Sequence, residues 1–332
     1  MGLFELTKDL VNIESVTGNE SAVCGFVHDS LEKRNFQVEM QPVSEGRSNV
    51  LALVGTPEVV LSTHMDTVPP FFPAREDVEY IHGRGSCDAK GILAAQVTAA
   101  EQLVSEGVSD FGLLFLVGEE TLSDGARVAN LAPRGAKYLV GGEPTENKLA
   151  LGSKGILRVD IRARGVMAHS AYPQLGESAI EKLLDILADV RRVPLPSDPV
   201  LGPSTLNIGV ISGGRAANIV PDEAEAQVMC RTVDGSEELR KNLTRVLEGR
   251  CEYEFVRETP ALRMENVDGF ETGVVAFATD LPNLSAWGRP LLLGPGSISV
   301  AHTDHEKVRK ADLQRAVELY VRLVKRLKKT ED

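Results

Sequence analysis

The sequence has little of what would mark several protein classes. Its 332 residues hold four cysteines, Cys24, Cys87, Cys230 and Cys251, with no Cys-x-x-Cys pair, so neither a disulfide framework nor a zinc ribbon is suggested. No apolar run approaches the roughly 18–20 residues of a membrane helix. The opening stretch MGLFELTKDLVNIES is acidic and amphipathic, without the apolar centre and cleavage site of a signal peptide. These absences lead to the expectation of a soluble, cytoplasmic protein with no membrane partner. Positive charge is also in deficit: 36 Lys and Arg face 48 Asp and Glu, a net charge of −12, which argues against nucleic acid or an anionic surface as partner. Internal repeats and low-complexity tracts are absent as well.

What is present is an ordinary globular composition, 42% hydrophobic, on a chain long enough for two domains. From residue 3 to about 35 the apolar residues recur at helical spacing: Leu3, Leu6 and Leu10, then Val23, Val27 and Leu31 after a Thr17-Gly18-Asn19-Glu20 start signal. Short, nearly all-apolar runs at Asn49–Val54, Glu58–Thr63, Phe111–Val117, Tyr138–Val140 and Pro290–Leu293 read as strands covered on both faces, and Ala89–Ser105 as a helix between them. This alternation predicts an α/β fold, a mostly parallel sheet flanked by helices. Between about Lys154 and Arg257 the pattern changes. Ile156–Arg164, Thr205–Ser212, Ala224–Thr232 and Glu252–Val256 read as strands, Glu177–Val190 and Ser236–Leu247 as helices. The order β-α-β-β-α-β is that of a ferredoxin-like unit. The α/β pattern then resumes and ends in a helix with Leu313, Val317, Tyr320, Val324 and Leu327 on one face. The simplest account is a small domain, 154–261, inserted into a larger discontinuous one, 1–153 and 262–332.

Acidic residues and histidines gather at strand ends. His64 and Asp66 stand two apart in extended chain and project to one face, so the carboxylate can accept the imidazole's other N–H. The pair reads either as a metal-binding His with its orienting carboxylate or as a structural hydrogen bond. The glycine-rich stretch Gly83–Gly91 lacks a Gly-Lys-Ser/Thr ending and the third glycine of a dinucleotide fingerprint, so it is not a phosphate loop; its remaining use is to bring Asp88 near other ligands. After Phe111–Val117 come Gly118, Glu119 and Glu120. Adjacent carboxylates there repel unless a cation lies close; the alternative is a solvated acidic turn. Glu143 follows a third strand, and His302 and His305 lie in the loop Gly294–Glu306. Ligands at neighbouring strand ends form a crevice, the usual site of an open α/β sheet.

The strings STHMDTVP, GRGSCDAKG, GEE, VGGEPT, AHSAYPQLGESAI, NIVPDEAEAQVMCRT and GPGSISVAHTDHE follow one another in this order. Together they resemble the signatures of the zinc-dependent amidohydrolase and exopeptidase family of acetylornithine deacetylase, succinyl-diaminopimelate desuccinylase and carboxypeptidase G. The resemblance implies two Zn2+ ions per subunit, replaceable by Co2+, with His64, Asp88, Glu120, Glu143 and His302 as ligands and Asp88 as the bridge. It leaves open which ligand serves which ion. It further implies that Asp66 orients His64 and that Glu119 is the general base and acid. It makes His169 a group that reaches the partner subunit's active site to stabilise the tetrahedral intermediate, and Asn218 and Arg231 contacts to a substrate carboxylate. The family pattern Ala-His-x-x-x-Glu selects His302 over His305. The inserted unit becomes a lid and dimerisation domain, implying a homodimer. The activity implied is amide hydrolysis of a small N-acyl amino acid, most like acetylornithine deacetylase from the strings Gly-Glu-Pro-Thr and Ala-His-Thr. The alternatives are succinyl-diaminopimelate desuccinylase and a metallo-dipeptidase or carboxypeptidase. A non-catalytic binder predicts the loss of a ligand or of the base, and none is missing.

Overall fold

A computed structural model describes residues 2–329. Along the chain run helices α1 (Leu3–Val11) and α2 (Ser21–Glu32), strands β1 (Gln37–Ser44), β2 (Arg47–Val54) and β3 (Val59–His64), α3 (Lys90–Ser105), β4 (Phe111–Leu116), α4 (Asp124–Asn130) and β5 (Tyr138–Gly141). There follow β6 (Gly155–Arg164), α5 (Ala179–Val190), β7 (Thr205–Gly213), β8 (Glu223–Thr232), α6 (Glu237–Leu247), β9 (Glu252–Thr259), β10 (Arg289–Leu292) and α7 (Lys310–Lys328), with further strands of two to five residues and two 3-10 segments, Pro173–Leu175 and Leu281–Trp287. The chain divides into two compact units, one of Met1–Leu151, Met264–Gly273 and Thr279–Asp332, the other of Gly152–Arg263 with Val274–Ala278.

The larger unit is built on a six-stranded sheet in the order β1-β2-β4-β3-β5-β10. The run β4-β3-β5-β10 is parallel, while β1 and β2 join antiparallel at one edge. Alternation within the strands separates two faces, both covered. Val59, Leu61, Phe111, Leu113, Phe115 and Val140 pack into one core with α1, α2, α3 and α7. On the opposite face Val60, Leu114 and Leu139 are equally buried. Every residue of β3, β4 and β5 is buried, as parallel strands covered on both sides require. Helix α3 packs against both α1 and α7, and its alanines, Ala94, Ala95, Ala99 and Ala100, let neighbours approach closely.

Two local readings of the sequence change. The edge strand β1 is not apparent in the sequence, because its burial is broken and it carries Pro42, which an edge tolerates. The start signal Thr17-Gly18-Asn19-Glu20 does precede α2, but its N-cap residue is Glu20 and no side chain caps that end; the Thr17 hydroxyl bonds Asp66 instead.

The inserted unit is a four-stranded antiparallel sheet, β7-β8-β6-β9, with α5 and α6 packed on one face. Strand β8 alternates strictly between buried and half-buried residues, the period-2 pattern of a sheet covered on one side. Val159, Ile161, Val228, Leu183, Ile186, Leu239 and Leu243 form its core. The other face carries cross-strand ion pairs, such as Arg162 to Glu225 at 2.6 Å and Arg164 to Glu223 at 2.7 Å.

Candidate metal centre

Strand register brings the acidic junctions to one level. His64 pairs with Leu116 across β3 and β4, Ser62 with Gly141 across β3 and β5, and Gly141 with Leu292 across β5 and β10. Because these strands are parallel, the segments carrying His64, Glu119 with Glu120, Glu143, and the loop to His302 all leave the sheet at the same end. Two glycines make the exits possible. Gly118 has φ +78, and a Cβ there would lie 1.9 Å from Asp124 Oδ1. A Cβ on Gly294 would lie 2.4 Å from the Glu143 carbonyl oxygen, so only glycine lets that loop run beside Glu143.

Asp88, in the loop ahead of α3, stands between two sets of donors. Its Oδ1 lies 3.0 Å from His64 Nε2 and its Oδ2 lies 3.3 Å from His302 Nε2. His302 Nε2 is also 3.0 Å from Glu120 Oε1. The donor atoms of His64, Asp88 and Glu143 lie within 4.8 Å of one another, and so do those of Asp88, Glu120 and His302. Asp88 is common to both groups, His64 and Glu143 standing with it in one and Glu120 and His302 in the other. His305 is exposed and belongs to neither. Cys87, beside Asp88, is buried with its Sγ toward the Ser297 carbonyl, and burial pushes its thiol up, away from the thiolate a metal would need.

The electrostatics call for cations. Burial pushes Glu119 well above the ordinary carboxylate range, with Asp280, Glu120 and Asp88 adding to the effect. Burial does the same to Glu143, and less strongly to Glu120. Burial alone would lower His64, yet its contacts with Asp66 and Asp88 raise it; contacts with Asp88 and Glu120 raise His302 to about 10. Asp88 is the exception among the carboxyls: burial works against its ionisation, but His302 and His64 overcome it and pull its value down. Four carboxylates therefore face two imidazoles, a surplus of negative charge in a desolvated place. Imidazole nitrogens and carboxylate oxygens are the donors zinc takes, and contacts of 3.0–3.3 Å between them are close to the roughly 3.4 Å separating ligands of a tetrahedral ion at about 2.1 Å. The residues fit a pair of divalent ions.

Asp66 does more than its place beside His64 suggested. His64 Nδ1 is 3.0 Å from the Asp66 backbone carbonyl and 3.5 Å from its carboxylate, so the main chain makes the nearer contact. The carboxylate instead accepts the N–H groups of Glu119 at 3.1 Å and Glu120 at 3.2 Å, and the Thr17 hydroxyl at 2.7 Å. It thus ties the strand-end of β3 to the Glu119–Glu120 turn. Sequence reasoning missed this use of Thr17, and also missed Asp280, which burial pushes up to about 7. Asp280 lines a cavity of about 20 Å³ with His64, Glu119 and Glu143, room for one water. No spacing rule links Asp280 to the other motifs.

The remaining expected site residues lie in the inserted unit. His169 forms a two-residue strand with Ala168 against Ile219–Val220, and Ser170 N–H donates to the Asn218 carbonyl at 3.0 Å, so His169 and Asn218 are neighbours. His169 Nδ1 accepts the Ala171 N–H at 3.1 Å, which leaves the ring proton of neutral imidazole on Nε2. Arg231 sits on β8, opposite Thr205 and Ile156.

The strand ends of a parallel α/β core thus gather carboxylate and imidazole donors that share Asp88, in the crevice where such sheets carry their sites. Residues 151–254 match the peptidase dimerisation domain, spanning most of the inserted unit. A peptidase M20 domain-containing protein of Schizosaccharomyces pombe is 42% identical over 335 residues, covering 97% of this chain and 84% of its own. A probable carboxypeptidase of Aspergillus flavus is 39% identical over 367 residues, covering 96% and 85%. The chain belongs to the M20 peptidase family. Its fold matches a tripeptidase from Staphylococcus aureus with a TM-score of 0.84 at 22% identity, covering 98% and 97% of the two chains. It also matches a Bacillus subtilis protein described as a dinuclear metal binding peptidase, with a TM-score of 0.70 at 16% identity over 98% of each chain. No described helix is long and apolar enough to cross a membrane.

Proposed function

We propose that the protein is a two-zinc exopeptidase that cleaves short peptides bearing a free carboxylate, acting as a carboxypeptidase or dipeptidase. The observation that carries this reading is the Asp88 carboxylate, each oxygen of which faces a different donor set. His64 and Glu143 would hold one ion and Glu120 and His302 the other, with Asp88 available to both. Zinc bound there would supply Lewis acidity to polarise the scissile carbonyl and make the attacking water more acidic. Glu119, in neither donor set, takes the proton from that water and hands it to the departing amine nitrogen. The proton on His169 Nε2 suits an oxyanion donor acting on the partner subunit's substrate, worth on the order of 3 kcal/mol. Arg231 and Asn218 hold the substrate carboxylate, for which a planar guanidinium fork is suited. The match to a dimerisation domain supports a homodimer.

Acetylornithine deacetylase, the activity expected from two short strings, gives way here to the peptidase alternative, because relatives matched over nearly the whole chain are described as peptidases and carboxypeptidases. The test is turnover by zinc-loaded protein of dipeptides and tripeptides, the same peptides amidated at the C-terminus, and N-acetylornithine. Hydrolysis of the free-carboxylate peptides, with loss of rate on amidation, is expected. Turnover of N-acetylornithine with none of the peptides would overturn the reading.

A further inference from the structure

Glu306 is a fully buried carboxylate with no place in the chemistry above, and its surroundings are unusual. Its Oε1 accepts three N–H groups of one loop, from Gly85 at 2.9 Å, Cys87 at 3.1 Å and Asp88 at 3.1 Å. Its Oε2 accepts Arg84 Nη1 at 2.6 Å, and its own backbone carbonyl accepts the Gly83 N–H at 3.1 Å. Arg84 is itself buried, its Nε donating to the Pro70 carbonyl at 3.2 Å and its guanidinium lying over the Phe72 ring. One side chain, 218 residues away from Asp88 in sequence, therefore holds the whole turn that presents Asp88. Glu306 also sits four residues after His302, in the same loop, and His302 has a left-handed backbone with φ +61. The two groups that share Asp88's second oxygen and its main chain thus belong to one short segment.

We infer that Glu306 is a positioning residue that locks the Asp88 turn to the His302 loop, so that one carboxylate can serve two cations at once. A carboxylate is suited to this because it only accepts: three N–H donors converge on one oxygen while the other neutralises Arg84. An orienting partner of this kind, one step removed from the metal, commonly changes affinity by about 10- to 100-fold when removed. The inference rests on the two-cation reading of the site.

The test titrates metal-free wild type, Glu306→Ala, Glu306→Gln and Val50→Ala with Co2+ alone, following visible absorption and chelator competition, with thermal unfolding of each metal-free protein in parallel. Val50, in the core on β2, controls for general loss of stability. Glu306→Ala is expected to bind Co2+ about 10- to 100-fold more weakly with an altered absorption band. Glu306→Gln, which keeps an acceptor oxygen for the three N–H groups, falls between Glu306→Ala and wild type. Val50→Ala unfolds earlier yet binds as wild type does. If Glu306→Ala fails to fold, Glu306→Gln must still bind more weakly than Val50→Ala. Wild-type affinity and spectrum in the Glu306 variants overturn the inference, as does equal weakening by Val50→Ala. A wild type that takes up no Co2+ overturns the two-cation reading itself, so the two failures are told apart.

Discussion

The two units of the chain treat charge in opposite ways. In the larger unit Asp66, Asp88, Glu143, Arg84, Lys90 and Glu306 are all buried, and most lie within a few residues of a strand end or of the Asp88 turn. In the inserted unit the one buried charged side chain among the described residues is Lys154; the others reach solvent, several of them paired across strands on the open face of the sheet. Their cores differ accordingly. Parallel strands covered on both faces leave nowhere for solvent to reach, so each carboxylate placed there must find donors or cations. An antiparallel sheet covered on one face lets every second residue meet water, and its charges cost little. Burial of charge therefore marks the donor cluster of the larger unit, whereas the insert draws its stability from apolar packing.

Substitutions in each unit test this contrast, and the effects should fall in order. Glu119→Gln should lower kcat by roughly 10²- to 10⁴-fold with metal content unchanged, measured by steady-state peptide hydrolysis and metal analysis. The same group can be followed by titration without metal. In the metal-free protein burial holds Glu119 above the ordinary range, so its carboxylate form should be lost, as pH falls, at a pH above the roughly 4.3 of free Glu, read as the difference in carboxyl infrared absorption between wild type and Glu119→Gln. In the insert, Leu243→Ala should cost about 2–5 kcal/mol in denaturant unfolding of that unit through the cavity it leaves in the α5–α6 core, while the protein still binds metal. Asp66→Asn should weaken turnover or metal binding by about 10- to 100-fold, because its carboxylate ties the Glu119–Glu120 turn to β3. Glu225→Gln, on the open face of the insert, should change stability by less than about 0.5 kcal/mol and leave turnover alone; a large effect would break the comparison.

The smallest effect belongs to an exposed pair in the larger unit that should behave like the insert's surface. His82 and two backbone N–H groups depress Asp77 from 3.8 to about 2. A carboxyl lowered in the folded state contributes stability that is present above its unfolded value and lost as pH falls through the folded one. The melting-temperature difference between wild type and Asp77→Asn should therefore shrink as the pH falls from about 4 to about 2.

Most of the architecture was legible from spacing. The six-element order of the insert, the helices at both chain ends and the covered strands followed from periods of about 2 and 3.6, because those periods reflect which face of an element meets water. The edge strand β1 was not legible, since its residues are half exposed and obey no burial pattern. The strand-end junctions bearing His64, Glu119, Glu120, Glu143 and His302 stood out as acidic breaks after apolar runs. Their grouping did not, and neither did Asp280, which follows no strand of the sheet and belongs to no recognisable string.

The sequence by itself determined which segments are helix or strand, where the insert begins to differ from its host, and which residue types stand at the strand ends. Those are local properties, written in neighbours a few positions apart. Only the tertiary structure decided that Asp88 meets His64 from 24 residues away, that His302 meets Glu120 across 182, and that Glu306 rather than a nearby residue anchors the Asp88 turn. Contacts at such separations depend on strand order and register, and these are chosen by how whole elements pack.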